Sequence, residues 1–156
     1  MSWETGSGRI QELISAGELG QVPADTGLAR RMLADAGRHL ATASAAESAG
    51  DLSGGYQLAY DALRKSAASL LEAQGLRATS RGGHIAVQDA AIAQFGSSIR
   101  ALRSFSRLRR ARNSFEYPSM ETPGPSHDDV KDAVRVARDV NDAAGQILES
   151  EILSPW

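Results

Sequence analysis

Cysteine is absent from the 156 residues, which removes disulfides, thiolate metal sites and cysteine nucleophiles together. Aromatic residues make up only 5% of the chain. The core must therefore be built from Ala, Leu, Ile and Val, a composition that favours close-packed helices over a sheet sandwich. Lysine is scarce too: Lys65 and Lys131 are the only two, so nearly every cation is an arginine. No apolar run approaches the ~18 residues of a membrane span, and nothing reads as a secretory leader. The expectation is a cytoplasmic protein without membrane contact. No segment alternates apolar and polar residues with a sustained period of two, so no strand is predicted. A glycine-rich phosphate loop, a paired-histidine zinc spacing and a nucleophile elbow are all missing. Ser53-Gly54-Gly55 is no phosphate loop, because it opens a predicted helix instead of following a strand. No cofactor and no metal is expected.

What is present fits one domain with a sizeable core. Hydrophobic residues are 42% and charged residues 23%, with a formal net charge of −2. Such a balance does not announce a nucleic-acid binder. Residues 1–22 read as a lead-in with a short helix around Ile10–Ile14. Residues 23–150 read as the bundle itself, and 151–156 as a frayed tail. Asp25 is the N-cap of a helix whose stripe is Leu28, Met32, Leu33, Ala36, Leu40 and Ala43, with Gly50 as its stop. Asp51 opens the next, carrying Tyr56, Tyr60, Leu63, Ala67, Leu70 and Leu71 to Gly75. Residues 76–83 read as a loop. A shorter helix with Ile85, Ile92 and Phe95 follows, broken near Gly96-Ser97-Ser98. After the proline-containing loop, Ser126 caps the last helix, with Asp129 completing a capping box. The class is all-α, an antiparallel up-and-down helical bundle.

The spacing predicts a helix over 99–117 in which Leu102, Phe105, Leu108 and Phe115 gather on one side. Arg112 falls in the middle of that apolar side. A guanidinium there costs several kcal/mol unless it is paired, or opens onto a cleft or an interface. An intrahelical pair with Glu116 at i+4 is one solution. An anion site at a helix–helix seam is the other, since the arginine fork is well matched to phosphate. Residues 100–112 hold six arginines and no acid. Arg100, Arg103, Arg107 and Arg110 line a different face. That stripe is ordinary as a solvated surface, or serves to dock RNA through its phosphates.

Three histidines remain. His39 sits mid-helix among alanines as a surface or satisfied partner, and His127 lies in the first turn of the last helix. His84 follows Arg81-Gly82-Gly83 at a helix start and can reach a neighbouring cleft. Tyr56 and Tyr60 share one helix face, as core residues with hydroxyls bonded at the rim.

Several short runs, in their order and spacing, resemble one family. They are Tyr60-Asp61-Ala62-Leu63-Arg64-Lys65, Leu70-Leu71-Glu72-Ala73-Gln74-Gly75-Leu76-Arg77, Gly83-His84, and Arg109-Arg110-Ala111-Arg112-Asn113 through Glu116-Tyr117. The chain from about Leu13 to Leu148 resembles the HEPN superfamily, closest to a bacterial and archaeal branch ending in Arg-Asn…Tyr. The resemblance implies a helical bundle that dimerises, and often a metal-independent ribonuclease of toxin–antitoxin, abortive-infection or RNA-guided defence systems. Its hallmark is an arginine, commonly followed by a polar residue, with a histidine four to six residues on. Arg112 and Asn113 match the first half. Tyr117 stands where the histidine belongs.

That departure has chemical weight. Cleavage through the 2′-hydroxyl needs proton transfer, which a histidine near pKa 6.5 performs well and a tyrosine near pKa 10 performs poorly. Tyr117 can still donate to a phosphate while Arg112 stabilises developing charge. The expected catalytic set is Arg112, Asn113 and Tyr117, with RNA held by Arg103, Arg107, Arg109, Arg110 and His84. The expected partners are RNA, a second copy of the chain, and an antitoxin such as a nucleotidyltransferase-like protein. The alternative is a non-catalytic module that binds RNA, a nucleotide or a partner protein through the same groove.

Overall fold

The computed structural model describes residues 4–156; the first three residues of the expected lead-in lie outside the described residues. Six α-helices dominate: α1 (Ser7–Ser15), α2 (Thr26–Ser48), α3 (Leu52–Glu72), α4 (Gly83–Phe95), α5 (Phe105–Glu116) and α6 (His127–Glu149). The caps are where the residue types demand them. Asp25 accepts from the Leu28 amide at 2.8 Å and Asp51 from the Gly54 amide at 3.0 Å. At α6 the Asp129 amide donates to Ser126 Oγ and the Ser126 amide to the Asp129 carboxylate, a complete capping box. Each such cap contributes about 1 kcal/mol by satisfying an amide that the helix cannot.

α3 is the central helix, packed against α2, α6, α4 and α5. Its predicted stripe of Tyr56, Tyr60, Leu63, Ala67, Leu70 and Leu71 is buried throughout. Alanine lets the axes approach closely: Ala29, Ala36 and Ala43 of α2 and Ala133, Ala137 and Ala144 of α6 are fully buried against it. Two polar links cross the core. Gln74 and Gln94 exchange amide hydrogen bonds at 2.9 and 2.8 Å, and Asn141 of α6 donates to Ser66 Oγ of α3.

Four expectations need correcting. Leu19–Gln21 (β1) and Leu76–Ala78 (β2) form an antiparallel two-stranded ribbon, with Gly20 opposite Arg77. Three residues are too few to display a period of two, so the segment read as a loop begins with a strand. The helix predicted over 99–117 starts later, because a 3₁₀ turn (Arg100–Ser104) precedes α5. Ile85 is exposed, and α4 buries Ala86, Val87, Ala90, Ala91 and Phe95 instead. The tail is tied down: the Trp156 amide donates to the Gln74 carbonyl at 2.8 Å, and Leu153 and Trp156 pack on the core. No helix of the described residues is long and apolar enough to cross a membrane.

Candidate functional site

α5 delivers Arg112 where the helical spacing places it. Phe105 and Leu108 are fully buried, and Phe115 packs its ring edge against Tyr56 of α3 at 4.9 Å. Arg112 lies between them with its side chain 21% exposed. Its charge is not orphaned. Nε donates to Gln57 Oε1 of α3 at 2.9 Å, and one terminal nitrogen, Nη1, meets both Asn113 Oδ1 and Glu116 Oε2 at 3.2 Å. The intrahelical pair is therefore present. So is the opening: Arg112 lines a cleft of about 400 Å³ with Ser53, Gly54, Tyr56, Gln57 and Phe115.

The same guanidinium lies over the ring of Tyr60, 5.6 Å from its centroid. Tyr60 is fully buried, its ring wedged edge-on against Phe105. Its hydroxyl sits 3.0 Å from His84 Nδ1. Arg112 on α5 and His84 on α4 thus meet the same tyrosine of α3. Burial pushes the Tyr60 phenol up to about 12, so it remains a hydroxyl at neutral pH. The His84 imidazole is pushed below its ordinary value by burial, then by the charges of Arg64 and Arg112, so it is held neutral. When the Tyr60 hydroxyl donates to Nδ1, the ring proton rests on Nε2; when Nδ1–H donates to the Tyr60 oxygen, Nε2 is free to accept a proton.

The ribbon and its flanking turn explain why His84 reaches this place. Thr79 Oγ1 donates to the Gly17 carbonyl at 2.6 Å, and Arg81 donates to the Ala16 carbonyl. Gly82 passes so close to the Glu18 backbone that a Cβ would collide with that carbonyl. Gly83 turns at φ 54, a left-handed conformation that suits glycine. The two glycines read in sequence as a loop are what let α4 start here.

The predicted residues divide. Arg112 and His84 converge on Tyr60, and Arg109 donates from Nε to Gln88 Oε1 at 3.0 Å on the neighbouring helix. Asn113 is exposed beside Arg112. Tyr117 does not join them: it is 77% exposed and has no hydrogen-bond partner among the described residues. Arg100, Arg103, Arg107 and Arg110 are exposed as one stripe. Within it Arg107 pairs with Asp132 at 2.9 Å. Burial pushes the Asp132 carboxyl up, but hydrogen bonds from Arg107 and Arg135 outweigh that and hold it low. Arg103 and Arg110 have no ion-pair partner among the described residues. The other histidines are occupied away from the site, His39 with Lys65 at 2.8 Å and His127 with Glu47 at 2.6 Å.

Sequence reading left out Tyr60, Gln57 and Arg64 as site residues. Tyr60 reads as core, and it is core; only the packing shows that its ring face and its hydroxyl meet polar groups. The i, i+3, i+4 and i+7 spacing of Gln57, Tyr60, Asp61 and Arg64 was the available signal, one helix face carrying four polar tips. No curated protein and no solved structure matches the chain. The family model described as the HEPN domain matches residues 29–147, well over half of the chain and every residue of the cluster around Tyr60. The chain therefore belongs to the HEPN domain family.

Proposed function

We propose that this chain is a metal-independent endoribonuclease of the HEPN type, acting as the toxin of a toxin–antitoxin or phage-defence module. The observation that carries the reading is the shared contact of Arg112 and His84 with Tyr60. The α5 segment lacks the motif histidine, and α4 brings an imidazole to the same neighbourhood. A neutral His84 whose Nδ1–H donates to the Tyr60 oxygen keeps the Nε2 lone pair free, and Nε2 can take the proton of a ribose 2′-hydroxyl as its oxygen attacks the adjacent phosphorus. The proton then goes to the departing 5′-oxygen, leaving a 2′,3′-cyclic phosphate and a 5′-hydroxyl. Arg112 stabilises the negative charge that develops on the phosphate oxygens. Asn113 orients the arginine, and Arg103 and Arg110, without ion-pair partners among the described residues, hold the strand beyond it. A homodimer apposing two Arg112–Asn113 pairs across a common groove gives the composite site, and a nucleotidyltransferase-like antitoxin is the partner in the cell.

The test is incubation of purified protein with RNA in EDTA, with Arg112→Ala as control. Cleavage by the wild type and not by the variant is expected. Cleavage that EDTA abolishes and Mg²⁺ restores contradicts the reading. A monomer at tens of micromolar by light scattering removes the composite site.

A second reading is a non-catalytic module holding RNA, a nucleotide or a protein. It is favoured by Tyr117, which occupies the motif histidine's position and faces solvent. If wild type and Tyr117→His are both inert toward RNA, while RNA binding is intact and Arg112→Ala abolishes it, this second reading holds.

A further inference from the structure

Arg64 is the least satisfied guanidinium of this face. It stands one turn beyond Tyr60 on α3, and its Nε is buried without a hydrogen-bond partner among the described residues. Its terminal nitrogen approaches the Asp61 carboxylate only to 3.8 Å, outside hydrogen-bond range. Its neighbours differ: Arg109 is held by Gln88, and Arg112 by Gln57, Asn113 and Glu116. A buried N–H left open in this way is uncommon in folded proteins. The Arg64 side chain is nonetheless reachable: it is 28% exposed, and it lines an open groove of about 320 Å³ with Leu28, Met32, Val87 and the Arg77-paired Glu72 carboxylate, next to and distinct from the cleft that Arg112 lines. Three cations, Arg64, Arg109 and Arg112, act on both His84 and Tyr60, and Asp61 is the one carboxylate among the described residues that opposes them at both.

We propose that Arg64 is a phosphate-binding residue of this site, holding a phosphodiester of the bound strand beside His84 together with Arg112. The inference rests on the ribonuclease reading and deepens it. The terminal N–H groups of Arg64 make no hydrogen bond among the described residues and lie in one plane, the geometry that binds two phosphate oxygens at once. An anion seated there also changes His84. The titratable and charged groups acting on its imidazole are Tyr60, Asp61 and Arg64 from α3 and Arg109 and Arg112 from α5. The excess of cations disfavours imidazolium in the free protein. A bound phosphate offsets them, so substrate binding raises the proton affinity of His84 and makes the neutral imidazole a stronger base.

The probe is inorganic sulfate, which keeps its charge throughout the titration, compared with chloride at matched ionic strength. The His84 imidazole is followed by NMR in the full chain. Sulfate is expected to raise the His84 midpoint by about half a unit or more. Arg64→Gln is expected to weaken that response roughly tenfold, the loss of a charge-assisted hydrogen bond. Arg64→Lys, which keeps the charge without the fork, should fall between, and circular dichroism checks that both variants remain folded. A wild-type His84 unmoved by sulfate overturns the proposal, whatever the variants do. So does an Arg64→Gln protein that responds like the wild type. RNA cleavage with an unmoved His84 refutes the Arg64 assignment alone. A sulfate response through Arg64 in a protein inert toward RNA keeps the anion site and refutes the ribonuclease.

Discussion

The Arg112 guanidinium lies over the face of the Tyr60 ring, 5.6 Å from its centre. Because Tyr60 is fully buried and wedged against Phe105, the ring cannot turn without disturbing the core. A core residue therefore sets the position of a surface cation. The contact itself is worth about 0.5–2 kcal/mol for a partly desolvated arginine. Its larger consequence is positional, since the hydroxyl of the same ring holds His84.

Tyr60→Phe separates those roles. It keeps the ring under Arg112 and deletes the hydroxyl. Stability should fall by only about 1 kcal/mol, the net value of one hydrogen bond. RNA cleavage should fall much further, because His84 loses the group that orients it. Chemical denaturation and single-turnover cleavage of the same preparation check the pair of effects. Equal small losses in both would mean that the hydroxyl only packs.

Arg112→Ala and His84→Asn should each reduce cleavage by about 10²–10³-fold, the size expected for removing one charge-stabilising or proton-transferring group. As parts of one unit they should not add, so the double variant should resemble the worse single one. Thermal melts should show all three folded. If Arg112→Ala instead unfolds the chain, the arginine is structural.

The depressed His84 pKa has a consequence for stability. An unfolded chain binds the histidine proton near pH ~6.5, whereas the folded protein binds it only at lower pH. Between those values the unfolded state carries more protons. His84 therefore contributes its stabilisation fully above pH ~6.5 and loses it as the pH falls through the folded value. His84→Gln should flatten the stability profile in that window and leave it unchanged above. Denaturation series at closely spaced pH values measure the difference.

Gly82→Ala should damage the site more than its small size suggests. The added methyl collides with the Glu18 carbonyl, a backbone atom that cannot swing away. A loss of about 1–3 kcal/mol is expected, as for other overpacked positions. The Tyr60–His84 hydrogen bond should weaken with it, visible as a His84 titration returning toward the ordinary value.

Much of this molecule is legible in local residue types. Asp25, Asp51 and Ser126 start helices because a short acceptor side chain meets the free amides of a first turn, wherever that turn sits. The Tyr56–Leu71 stripe shows its face by spacing alone, and so does the intrusion of Arg112 between Leu108 and Phe115. The order and spacing of short runs around Tyr60, Gly83-His84 and Arg112 carried the family as well. The ribbon was not legible, since Leu19–Gln21 and Leu76–Ala78 are each too short for a period and pair only because α1 and α3 bring them side by side. Nor was the company of Arg112. Gln57, Tyr60 and His84 lie 55, 52 and 28 residues before it in the chain, and side-chain chemistry carries no record of such distances. Only the packing of α4 and α5 on α3 turned a buried tyrosine into a bridge between an arginine and an imidazole.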